Sequence, residues 1–271
     1  MTGPMGHGEA LRLHCREYGR YREGRPSLLL LHGLLGSSVN WHTIARRLEG
    51  EYHLLVPDLR NHGRSPHHAE CGYPAMAADL VRLLDDHGLE QVIPVGHSMG
   101  GKAAMWLALH HPEGVARLVV VDVAPAAYPN RFAPIFRALG QLELERLADR
   151  EEARRRLGRD LGDPALREYL LQNLVYEGGG WRWRMNLSAL SRGIDRIVGF
   201  PDVAEWVQYP GEVLFLHGGN SGYLRPGHQG TIRRLFPSAR LRMIPGAGHW
   251  VYAERPGPFL DGLSPFLSPA V

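Results

Sequence analysis

Sulfur is scarce in this chain. Two cysteines, Cys15 and Cys71, occur in 271 residues, which excludes a disulfide framework and a thiolate metal cluster and predicts two reduced thiols. Long apolar runs are missing too. A stretch such as Leu28–Leu31 falls far short of the roughly 20 residues that span a bilayer, and MTGPMGHGEALRLH at the start contains no apolar signal core. These absences predict a cytoplasmic protein with no stable membrane insertion. Blocks of like charge are absent apart from Arg154-Arg155-Arg156, which reads as a solvated helix face. The formal net charge of +3 and pI of about 9.0 come from scattered arginines, so nucleic-acid binding is not indicated. The chain holds 15 histidines, but His67-His68 and His110-His111 are adjacent pairs whose side chains diverge, and no metal site is predicted. Repeats and low-complexity segments are also absent.

What is present is a globular composition, 44% hydrophobic and 22% charged, enough for a substantial core. The chain is organised around Gln91–His111. Val92, Ile93 and Val95 suit a buried parallel strand. Ala103 to Leu109 are good helix formers, and Pro112 marks the stop. Between them lies Gly96-His97-Ser98-Met99-Gly100, a G-x-S-x-G pattern in the strand–turn–helix setting that makes it a nucleophile elbow.

Around this unit, strands are predicted at Glu9–Arg16 (an alternating, half-buried edge), Leu28–Leu31, Tyr52–Val56, Arg117–Val123, Glu212–Leu216 and Arg240–Ile244. Helices are predicted at Asn40–Leu48, Pro74–His87, Thr231–Phe236 and Pro258–Leu267. Alternation of strand and helix implies a mostly parallel sheet covered on both faces. It breaks from residue 124 to 209, where amphipathic stretches (132–147, 151–161, 164–175 and 187–197) replace buried strands. The expected organisation is therefore a core of 1–123 and 210–271 with a helical cap inserted at 124–209. Within the cap, Gly178-Gly179-Gly180-Trp181-Arg182-Trp183-Arg184 reads as a short hairpin with packed indoles.

Ligands of such sheets collect beyond the carboxyl ends of the strands. Ser98 lies there, and so do His249, in the glycine-rich loop after the last strand, and Asp122. Serine needs a base to remove its proton, histidine titrates in the right range, and a carboxylate fixes the imidazole. The turn after Leu216 offers His217, Gly218, Gly219, Asn220 and Ser221 but no carboxylate. Asp122 is then the candidate acid and keeps the order Ser, Asp, His; a purely structural strand-end aspartate is the alternative. His217 is a reserve base. His32-Gly33-Leu34-Leu35-Gly36 can aim a backbone amide at the site, so Leu34 and Met99 are the candidate oxyanion donors. His32 is expected to brace that loop, and the Asp58–Ser65 loop to serve the backbone of a long turn. Lys102, in the first helical turn, is expected to pair with a carboxylate, with an anionic substrate as the alternative partner.

The segments HGLLGS, DLRNHGRSP, YPAMAADL, GHSMGGKAAM, VVVDVAP, GGNS, GAGHWVYAERP and WRWRMNLSAL together resemble the YbfF/ABHD11-type esterases of the α/β-hydrolase superfamily over nearly the whole chain. The resemblance implies an α/β fold of the α/β-hydrolase type with a helical cap, no cofactor, and a carboxylesterase or thioesterase. Its substrate would be a small-molecule acyl ester or thioester, including acyl-CoA, and its triad Ser98, Asp122 and His249. Some relatives carry an aspartate in the cap where this chain has Ser188, so any role of that residue does not transfer. Other serine-dependent chemistry on the same scaffold (perhydrolase, C–C hydrolase or lyase) and a non-catalytic ligand receptor are the alternatives. Oligomeric state is left open.

Overall fold

The computed structural model describes residues 9–268. The two ends of the expected core, residues 1–8 (most of MTGPMGHGEALRLH) and 269–271, lie outside the described residues. The strands in chain order are β1 (Cys15–Tyr18), β2 (Ser27–Leu31), β3 (Leu54–Pro57), β4 (Val92–His97), β5 (Leu118–Val121), β6 (Leu174–Glu177), β7 (Gly180–Trp183), β8 (Val213–Gly218) and β9 (Ala239–Ile244). Seven of them form one sheet in the order β1-β3-β2-β4-β5-β8-β9. Only the β1–β3 pairing in it is antiparallel.

The pleat sorts the side chains. Along β2, Leu29 and Leu31 join one apolar cluster and Leu28 and Leu30 the other, because successive Cβ atoms point to opposite faces. The first face packs on α2 (Tyr73–Asp86) and α3 (Met99–His110) through Met76, Leu80 and Met105. The second packs on α1 (His42–Leu48) and the C-terminal helix Pro256–Leu267 through Ile44, Phe259 and Leu263. Trp41 stacks on Tyr252 there at 4.0 Å. With both faces covered, the inner strands are buried throughout, as their unbroken apolar runs require.

Residues between β5 and β8 contain α4 (Ala133–Gly140), α5 (Arg150–Leu157), α6 (Pro164–Leu171), the β6–β7 hairpin, α7 (Leu187–Arg192) and α8 (Ile194–Val198). The hairpin turns at Gly178-Gly179. Trp183 donates its indole N–H to Leu139 O at 3.2 Å, while Arg182 and Arg184 both pair with Glu177. After β8 come α9 (Gln229–Leu235), then α10 (Val251–Glu254) and α11 (Pro256–Leu267). No helix of the described residues is long and apolar enough to cross a membrane.

Several elements differ from expectation. The edge strand is Cys15–Tyr18 rather than 9–16. Leu11 N–H donates to Asp79 Oδ1 and His14 N–H to Ser65 Oγ, so side chains take N–H groups that a ladder would otherwise use. The stretch 132–147 breaks after Gly140, and 187–197 divides at Gly193, glycine being a poor helix former. The helix from Pro164 stops at Leu171, and Leu174 and Val175 pass into β6 instead.

Candidate active site

Ser98 joins β4 to α3. Its φ of 52° and ψ of −118° lie outside the regions that an L-residue enters without cost. Two backbone bonds hold it there. Its N–H donates to Val121 O at 3.0 Å, and its carbonyl accepts from Lys102 N–H at 3.0 Å. The flanking glycines admit no side chain. A Cβ on Gly96 would lie 2.3 Å from Gly100 O, and one on Gly100 would lie 2.5 Å from Leu31 O. Strand and helix can cross this closely only because both positions are bare.

Asp122 follows β5, also with positive φ (53°), and is fully buried. A buried carboxylate needs donors, and three converge on it. Gly218 N–H reaches Oδ1 at 3.1 Å, while the Ser221 hydroxyl (2.5 Å) and His249 Nδ1 (2.7 Å) reach Oδ2. His249 therefore carries its proton on Nδ1, which leaves Nε2 as the acceptor. Tyr223 stacks on its imidazole at 3.9 Å. From the other direction the His97 ring approaches to 4.6 Å, and His97 Nε2 donates to the His249 carbonyl at 2.9 Å. Burial holds His97 well below its ordinary pKa, so the neighbouring ring adds no charge. The loop around His249 is tied down by Glu254, which accepts from Gly248 N–H and Trp250 N–H.

Ser98 and His249 line one cavity of about 400 Å³ with Leu34 and Met99, a volume suited to a small ligand. A Cβ built on Gly33 would meet His97 Nδ1 at 2.9 Å and Ser98 Cβ at 3.4 Å, so the HGLLG loop passes directly over the elbow. The remaining wall is largely apolar and includes Phe132, Ile135, Leu166, Leu170 and Ile197.

Residues 26–256 match the family model described as alpha/beta hydrolase fold. The chain belongs to the α/β hydrolase family. Among its relatives in that family is the mouse (Mus musculus) sn-1-specific diacylglycerol lipase ABHD11, 41% identical over 90% of this chain and 81% of the relative. Esterase YbfF of Escherichia coli strain K12 is 36% identical over 95% of this chain and all of the relative. The solved structure of a marine microorganism esterase superposes with a TM-score of 0.90 at 36% identity, covering 94% of this chain and 99% of that one.

In this α/β hydrolase, His32 does brace the loop that follows it. It is buried and accepts from Leu59 N–H through Nε2 while Nδ1 meets Gly33 O at 2.8 Å. The 58–65 loop is structural. Asp58 accepts from Ser38 and Arg64 N–H, and His62 joins Arg60 O to Leu35 N–H. His217 turns toward its own strand end, with Nδ1 3.4 Å from Gly218 O, and is no part of the cavity wall. Lys102 departs from expectation. It pairs with no carboxylate; its ammonium donates to the carbonyls of Ala126, Val198 and Gly199 at 2.7–2.8 Å and lies 4.7 Å from the Tyr128 ring. Burial lowers its pKa to about 7. Three carbonyl dipoles do what one anion was expected to do, and they tie α3 to the start of the 124–209 segment and to the end of α8.

Three residues escaped sequence reading: Ser221, Tyr223 and His97. The first belongs to the GGNS turn, whose lack of a carboxylate was its only evident feature. A hydroxyl beside a strand end was the available signal, and it bears on Asp122 rather than on substrate.

Proposed function

We propose that the protein is a serine esterase working through an acyl-enzyme, with Ser98 as nucleophile, His249 as general base and then general acid, and Asp122 as the carboxylate that orients His249. The observation that carries this reading is the 2.7 Å contact between His249 Nδ1 and buried Asp122 Oδ2, on the rim of the cavity that Ser98 lines. Ser98 Oγ attacks the ester carbonyl and passes its proton to His249 Nε2. Asp122 stabilises the imidazolium without taking the proton. Negative charge develops on the carbonyl oxygen, where the Leu34 and Met99 amides donate. Collapse expels the alcohol, which takes the proton from His249. Water then repeats the sequence and frees the acid.

Esterase and lipase relatives support ester bonds as the target. The apolar wall supports an acyl chain as the buried part of the substrate. Residues 124–209 act as the cap, since Phe132, Ile135, Leu166 and Leu170 all come from them. The same steps cleave a thioester, including acyl-CoA, with a thiol as leaving group. Two unpaired cysteines accord with a reducing, cytoplasmic setting.

The test is hydrolysis of p-nitrophenyl acyl esters and acyl-CoAs of graded chain length. Ser98→Ala should lower turnover by about 10⁶-fold and Asp122→Asn by about 10⁴-fold, each with native thermal stability within a few degrees. Unchanged turnover in Ser98→Ala would remove the serine from the mechanism. Near-normal Asp122→Asn would place the acid elsewhere.

A further inference from the structure

Resting on the serine-esterase reading, the question is what aims the Leu34 N–H. A peptide unit is planar, with its carbonyl and its N–H opposed, so fixing one end fixes the other. The Gly33–Leu34 unit is held through its carbonyl, which meets His32 Nδ1 at 2.8 Å and Gly36 N–H at 3.1 Å. The Leu34–Leu35 unit is held at both ends. Its carbonyl accepts the Tyr169 hydroxyl at 2.9 Å, and its N–H donates to His62 Nε2 at 3.1 Å. The carbonyl of the next unit, Leu35 O, accepts Asn173 Nδ2 at 2.7 Å. These bonds hold Leu35 at a φ of 60°, a conformation that a leucine leaves unless its surroundings enforce it.

The pins come from two parts of the chain. His32 and His62 belong to the sheet domain. Tyr169 lies in α6 and Asn173 just beyond it, in the excursion over the cavity. Burial keeps the Tyr169 phenol protonated, so it remains a donor, and its ring packs 5.4 Å from Trp250, next to His249. Asn173 is buried, and its carbonyl in turn accepts from Arg184 N–H at 2.8 Å, which ties the site to the β6–β7 hairpin. Leu166 and Leu170 of α6 face the cavity.

We propose that Tyr169 and Asn173 are positioning residues for the oxyanion hole, so that the helix forming part of the acyl wall also sets the direction of the Leu34 amide. The seating of α6 is then felt in the transition state and not only in substrate binding. A chain that displaces Leu166 or Leu170 tilts the donor as well.

Tyr169→Phe removes the hydroxyl and keeps the ring. With p-nitrophenyl butyrate it should lower kcat by about tenfold and leave KM within about twofold, because an interaction realised in the transition state is lost. The inhibition constant of a trifluoromethyl ketone, whose hemiketal oxygen occupies the oxyanion position, should rise by the same factor as kcat/KM falls. Asn173→Ala should behave alike; if it does not fold, Tyr169→Phe decides alone. A change confined to KM, or an unchanged inhibition constant, would make Tyr169 a cavity wall and overturn the proposal. Ser98→Ala measured alongside separates the two levels. Activity persisting there defeats the serine reading itself. An inactive Ser98→Ala beside a Tyr169→Phe of wild-type kcat and inhibition constant defeats only the brace.

Discussion

Asp122 is held by three donors, and their contributions differ in kind. In the proposed mechanism the His249 contact is the one that orients the imidazole and stabilises its protonated form. The Ser221 hydroxyl and Gly218 amide keep the carboxylate turned toward it. Ser221→Ala should therefore lower kcat by about 10- to 100-fold, far less than Asp122→Asn, because a hydrogen bond to a charged group contributes about 1.5–3 kcal/mol while the carboxylate itself remains. Steady-state kinetics on a short acyl ester checks this, and a loss as large as that of Asp122→Asn would mean that Ser221 does more than orient. At this scale the sequence was informative about groups that sit at strand ends. Ser98 and Asp122 each follow a recognisable buried strand, and His249 lies in the glycine-rich loop after the last, more exposed strand. It was silent about groups that matter through contacts across the fold. Tyr223 on His249 and His97 on the His249 carbonyl have no local signature, since their neighbours lie far away in the chain. Lys102 shows the same limit. A cation in a first helical turn predicts a partner, but nothing local distinguishes a carboxylate from three converging carbonyls.

Elements were legible where burial was complete. β2, β4 and β5 are unbroken apolar runs because helices cover both faces of the sheet. β1 was misplaced because alternation over residues 9–16 looks the same whether N–H groups meet a neighbouring strand or side chains such as Asp79 and Ser65. Helices over the cavity came out shorter than their apolar spacing suggested, as glycine divided two of them and a third gave way to the β6–β7 hairpin. The C-terminal helix α11 repays a direct test. Phe259 is fully buried and packs on both Trp41 and Tyr252 in the second apolar cluster. Phe259→Ala should cost about 3–5 kcal/mol of unfolding free energy, read from urea melts, with kcat of the remaining folded fraction little changed. A cost below about 1 kcal/mol would mean that the α11 layer repacks around the loss.

For the whole molecule, the buried histidines couple folding to acid. His32 and His97 lie below their ordinary pKa and His62 is lowered to about 3 from 6.5, each chiefly by burial. The unfolded chain binds protons near pH 6.5, whereas the folded chain resists doing so. Stability is therefore complete above about pH 6.5 and falls as pH drops toward 3, by about 1.4 kcal/mol per pH unit for each histidine that remains neutral in the fold. Unfolding free energies from urea melts at pH 7.5, 6, 5 and 4 should decline with that slope. His62→Gln, which keeps a polar side chain without the titration, should flatten the decline; an unaltered slope would assign it to other groups.

The hydrogen bonds from Tyr169 and Asn173 to the loop after β2 limit how this enzyme can be remodelled. Exchanging residues 124–209 for the equivalent stretch of another hydrolase looks like a change of specificity alone. It would also import a foreign grip on the Leu34 amide proposed to donate to the developing oxyanion. Chimaeras lacking a hydroxyl and an amide at those two places should bind new acyl groups yet turn them over slowly, and restoring both should recover speed without altering preference.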